Sequence, residues 1–93
     1  MTVHKLKTWP PYFAAIESGE KNFEVRRDDR GFQKGDYLEL VFHDIDNQWR
    51  KREPIHKRIT WILTGGQFGI EPGYVVMGLG DVGPVAPANR AEP

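Results

Sequence analysis

The chain has 93 residues and carries thirteen Lys and Arg against thirteen Asp and Glu, so it is formally neutral at pH 7. That length supports one domain and leaves no room for a second. The balanced charge argues against indiscriminate adhesion to a phosphate backbone. With no cysteine, neither a disulfide framework nor a thiolate metal site can hold the fold together. Three Trp, three Tyr and five Phe supply the area that a small core needs.

In chain order, Val3 to Thr8 reads as a first strand ending at the breaker Trp9-Pro10-Pro11. Pro11 suits the first turn of a helix, where its missing N–H costs nothing. Tyr12, Phe13 and Ile16 form the apolar stripe of that helix, and Gly19 closes it in a left-handed conformation. Trp9, beside the helix start, reads as a core or staple residue. A second strand, about Asn22 to Arg27, alternates polar and apolar, with Phe23 and Val25 facing the core and Glu24 and Arg26 on the opposite face.

A polar loop from Asp28 to Lys34 leads through Gly35-Asp36 to a third strand, Tyr37 to His43, with Leu38, Leu40 and Phe42 on one face. Asp44-Ile45-Asp46-Asn47 has turn chemistry and predicts a hairpin. The returning strand is broken at Pro54, and Ile59, Trp61 and Leu63 are expected inward. After a glycine-punctuated loop from Gly65 to Gly73, the strand Tyr74 to Leu79 comes last. The glycines precede a strand where a phosphate-cradling loop would open a helix, so they are not such a loop. Residues 1–80 are expected to form the domain, and the Pro- and Ala-rich 81–93 a disordered tail. The fold class is α+β, a small mixed or antiparallel barrel with one short helix after the first strand.

Ionisable groups look arranged in one place, Gly19 to Arg26, where Lys21, Glu24 and Arg26 set two cations around a carboxylate. As a bare pattern this describes a solvated ion-pair face, worth roughly 0–1 kcal/mol. The spacing also resembles the GxKxxExR signature of the ASCH superfamily, whose domains have a PUA-like barrel. His4-Lys5-Leu6-Lys7, Pro11-Tyr12-Phe13, Ile16, Asp29-Arg30 with Phe32, Gly35-Asp36 and Gly73-Tyr74-Val75-Val76 extend the resemblance over Val3 to Leu79, toward a bacterial and phage group without an assigned function.

The resemblance implies an RNA-related role. A cleft between the helix, the first strand and the Glu24-Arg26 face would take a nucleotide or a looped-out base. Arg26 and Arg30 would offer planar cationic forks, Lys21 and Lys7 further cations, and Glu24 an acceptor for an exocyclic amine. His4 shares a face with Leu6 and reads as a structural histidine and a secondary site candidate. Trp9 or Tyr74, if exposed near the groove, would stack an unpaired base.

Some ASCH-type proteins are amidohydrolases that deacetylate modified cytidine, which would make Lys21 the nucleophile or proton-transfer group, Arg26 an oxyanion stabiliser and Glu24 an orienting group. This chain departs from them in carrying Glu24 where they have a hydroxyl residue, and in having only Glu71 before the last strand. A ribonuclease using the Lys and Glu pair is a further alternative. So is a protein-interaction module of phage origin using the basic run Arg50-Lys51-Arg52. No metal site is expected from the isolated His4, His43 and His56, and no cofactor. The first residues lack an apolar run of signal-peptide length and no stretch could span a bilayer, so a cytoplasmic protein without a membrane partner is expected.

Overall fold

A computed structural model describes residues 1–82. β1 (Val3–Thr8) runs into α1 (Pro10–Ser18), followed by β2 (Phe23–Arg27), β3 (Tyr37–Phe42), β4 (Ile55–Thr64) and β5 (Tyr74–Asp81). The strands form one curled sheet in the order β1-β3-β4-β5-β2. β1 pairs parallel with β3 and every other neighbouring pair is antiparallel, so the sheet is mixed. Among the described residues this is an α+β fold in which a half-barrel of five strands carries a single short helix.

The helix forms where the chain chemistry allows it. Pro10 and Pro11 occupy its first two positions, where their lack of N–H leaves no bond unmade. Phe13 N–H closes the first turn on the Trp9 carbonyl at 2.8 Å. Gly19, at φ 88°, stops the helix in the left-handed region and bonds back to the Ile16 carbonyl. Phe13 and Ile16 are buried, and Phe13 meets the Phe42 ring edge-on at 5.2 Å.

Leu6, Ile16, Phe32, Leu38, Leu40, Ile59, Val75 and Met77 make the core inside the curl. His4 belongs to this interior: its ring nitrogen donates to Asp36 Oδ2 at 2.8 Å, and the ring packs edge-on against Phe32. Asp36 also accepts from the amides of Thr2 and Gln33. Burial pushes the Asp36 carboxyl upward, but the bond from His4 and the two amide bonds outweigh it and hold its pKa below 3.8.

Four sequence expectations are corrected. Phe23 and Val25 face outward, 46% and 49% exposed, while Glu24 faces inward at 5%. The parity of β2 is therefore inverted, because its inner face walls a cleft instead of contributing to the apolar core. Trp61 also points outward. Ile59 pairs with Leu79 but Trp61 pairs with Gly78, so a bulge at Thr60 shifts the alternation by one residue and turns Ile62 inward in its place. Trp9 is exposed, stacked on Tyr12 at 6.2 Å, and is not a core residue. Asp81, where a tail was expected to begin, instead ends β5 and binds Lys57 at 2.7 Å. The rest of that tail, from 83 to 93, lies outside the described residues.

Candidate functional site

β1 and β2 are the two ends of the sheet, and the curl brings them close without a ladder between them. The carbonyls of Thr2, just before β1, and of Thr8 at its end accept from the amides of Tyr37 and His43 on the β3 side, so the carbonyls of Lys5 and Lys7 face the gap. Arginine side chains reach across to them. Arg26 Nη2 donates to the Lys7 carbonyl at 2.9 Å, and Arg30 Nη1 donates to the Lys5 carbonyl at 3.2 Å. The seam is thus stitched by two guanidinium groups in place of backbone bonds.

Above the Arg26 stitch the gap opens into a cleft of about 560 Å³. Cavities of about 300–1,000 Å³ are the usual size of small-molecule sites. One wall is Lys7, Thr8 and Trp9 from the end of β1, with Tyr12 from α1. The opposite wall is Lys21 and the strand from Phe23 to Arg26.

The Gly19 cap positions the second wall. After the left-handed turn, Lys21 N–H bonds to the Ala15 carbonyl at 3.0 Å, which brings the Lys21 side chain over β2. Its Nζ donates to the Phe23 carbonyl at 2.7 Å and to Glu24 Oε1 at 3.2 Å. The same ammonium lies 4.8 Å from the centre of the Phe23 ring and 5.6 Å from that of Tyr12, within cation–π range of both.

Glu24 sits between two cations with its two oxygens unequally served. Oε1 accepts from Lys21, whereas Oε2 is buried and has no hydrogen-bond donor among the described residues. Arg26 Nη2 is 3.6 Å from Oε2, close enough for electrostatic attraction and too far for a hydrogen bond. A buried acceptor left unmade costs about 1–3 kcal/mol, so the pattern calls for a donor. The arrangement offers that donor a carboxylate oxygen, three cations and three aromatic rings in one recess.

Of the residues picked from sequence, Lys7, Lys21, Glu24 and Arg26 line the cleft. Arg30 does not; it acts at the seam and also bonds Asp29. His4 is 6% exposed, takes its polar contact from Asp36, and is not a lining residue. Tyr74 stands at the far end of β2, under the Arg27 guanidinium at 5.2 Å. Tyr12 and Phe23 were missed as site residues because both were assigned to the core. The signal that would have found Phe23 is its neighbour: a Glu between two apolar residues can be the inward member of the alternation.

Two residues of the basic run are engaged within the chain. Arg50 binds Asp44 at 2.8 Å, and Arg52 binds Glu17 on α1 at 2.6 Å while covering Phe13 and Phe42. Among the described residues no group of three or more His, Asp or Glu is placed to hold a metal, and no helix is long and apolar enough to cross a membrane. A comparison with curated proteins gave no match. Residues 3–79, which span all six elements except the last two residues of β5, match the family described as Domain of unknown function (DUF3850), and the chain belongs to that family.

Proposed function

We propose that this chain is an RNA- or nucleotide-binding domain of the PUA-like type, which takes one unpaired base into the cleft between β1, α1 and β2. The observation that carries the reading is the buried Glu24 Oε2, an acceptor without a donor inside a recess of ligand size. A base with an exocyclic amine supplies such a donor, as cytosine does to carboxylates. Trp9, Tyr12 and Phe23 offer flat apolar surface for its rings. Lys7, Lys21 and Arg26 offer positive charge to the attached phosphate. The resemblance of Lys21, Glu24 and Arg26 to the ASCH signature points the same way.

Binding without catalysis accounts for the geometry better than the hydrolase alternative. Lys21 Nζ is already committed to the Phe23 carbonyl and Glu24, and no second carboxylate stands in the cleft to handle a proton. The test is titration of CMP and of fluorescently labelled single-stranded RNA at 50 mM and 200 mM salt, concentrations between which about three phosphate contacts weaken binding by roughly one to two decades. Saturable binding that weakens in Arg26→Ala and Lys21→Ala supports the reading. No binding at the lower salt overturns it.

A further inference from the structure

The outward face of β2, β5 and β4 carries a second feature that the cleft does not use. Phe23, Gly78 and Trp61 stand directly opposite one another on these three strands, and Val25, Val76 and Leu63 form the next row. Phe23 and Trp61 are 46% and 62% exposed. Strands are spaced by about 4.8 Å, so two rings separated by one strand stand about 10 Å apart at their roots. Gly78 puts no side chain between them. A Cβ there would come within 3.0 Å of Thr60 Oγ1, and one at Gly80 within 2.7 Å of Thr60 Cγ2, so the small Thr60 side chain lies over the two glycines and floors a shallow trough between the larger rings. A flat ring needs about 7 Å between two stacked neighbours, at about 3.5 Å a side.

Cations stand at both ends of this trough. Lys34 Nζ lies 4.9 Å from the Trp61 ring centre, and Arg27 covers Tyr74 one row beyond Val25. Arg58, opposite Gly80, is the next outward residue of β4 and is exposed. Between Arg27 and Arg58 no acidic side chain occupies an outward position of the three strands.

We infer that this face is a stacking platform for a single-stranded polynucleotide, continuous with the cleft. Phe23 and Val25 belong to both, since they flank the cleft and begin the outward rows. Neighbours of the base held at Glu24 then run over the edge of β2, one of them entering the trough between Phe23 and Trp61, with phosphates beside Lys34 and Arg27. A second copy of the chain is the poorer occupant. A two-fold interface would set this cationic rim against itself, a like-charge arrangement that costs affinity. The inference rests on the nucleotide reading of the cleft for its starting point, and extends it from one base to a strand.

The experiment compares CMP with a labelled hexaribonucleotide on the intact chain, in wild type, Trp61→Ala, Trp61→Phe, Lys34→Ala and Glu24→Gln. Trp61 is exposed, so these substitutions spare the core. Expected are tighter binding of the hexamer than of CMP, a loss of about 5- to 150-fold for the hexamer in Trp61→Ala with CMP unchanged, and recovery in Trp61→Phe. Equal hexamer affinity in wild type and Trp61→Ala overturns the platform, as does a sedimentation shift showing that Trp61→Ala dissolves a dimer without affecting RNA. CMP binding with no gain for the hexamer leaves the cleft reading standing and removes this one. Hexamer binding that depends on Trp61 but not on Glu24 supports the platform and removes the cleft reading.

Discussion

Replacing Glu24 by Gln tests the polarity of the cleft with little change of shape. Oε1 accepts from Lys21 at 3.2 Å while Arg26 stands 3.6 Å from Oε2. The nearer cation fixes the amide: its carbonyl oxygen takes the Oε1 place, and its NH₂ takes the place of Oε2. A lone acceptor in the recess thus becomes a donor. Cytosine, which brings an amino donor, loses a hydrogen bond to a charged group, worth about 1.5–3 kcal/mol, or roughly 10- to 150-fold in affinity. Uracil, with a carbonyl oxygen at the same ring position, gains a partner. The fold should survive, because the Gln carbonyl still accepts from Lys21, and the Lys21 and Arg26 side chains reach solvent at 16% and 27% exposure. Isothermal titration with CMP and UMP reads the ratio directly, with thermal unfolding as the control. A Glu24→Gln protein that folds and keeps the wild-type preference between CMP and UMP refutes the role given to Oε2.

Asp36→Asn should cost about 1–3 kcal/mol at neutral pH, because one carboxylate serves His4 and the amides of Thr2 and Gln33. The sign of its pH dependence follows from the lowered pKa: the contribution of Asp36 is complete above about 3.8 and is lost as pH falls through the lower folded value. Urea unfolding between pH 7 and pH 2 should therefore show a shallower acid loss in the variant. Some slope should remain from Asp81, which is held low by its hydrogen bond to Lys57. Equal slopes would contradict the assignment. Removing both seam stitches, Arg26→Ala with Arg30→Ala, should speed hydrogen exchange in β1 and β2 far more than in β4 and β5, measured by amide exchange; uniform acceleration would mean that the seam is held by something else. Phe13→Ala should cost about 3–5 kcal/mol, a large fraction of the stability of so small a domain, and should leave α1 undocked from β3 in a denaturant titration.

The elements were legible because their signals are local. Val3–Thr8 alternates cleanly, Pro10 and Gly19 bracket the helix, and Gly35 and Gly73 precede strands that begin where the pattern says. Which way each strand faces was harder to read, for two separate reasons. Trp61, Ile62 and Leu63 are consecutive apolar residues, so a bulge that slips the alternation by one leaves no mark in the sequence. In β2 the pattern was clear and the rule applied to it was the wrong one. Apolar residues face inward when the inward side is core, but β2 closes the curl, and its inner side is the cleft.

The seam escapes sequence reading altogether, since a guanidinium bond to a carbonyl 19 or 25 residues away has no periodicity. Yet these hidden features share one cause. Because β1 and β2 do not pair, their edges need side-chain partners, and Arg26 is drawn inward to serve Lys7. Glu24, two residues before it on the same face, must follow it in, and Lys21 completes the neutralisation from the helix cap. Phe23 and Val25 are then forced outward beside Gly78. A single unpaired edge accounts for the buried carboxylate, for the recess that exposes it to a ligand, and for the aromatic face on the other side of the same strand.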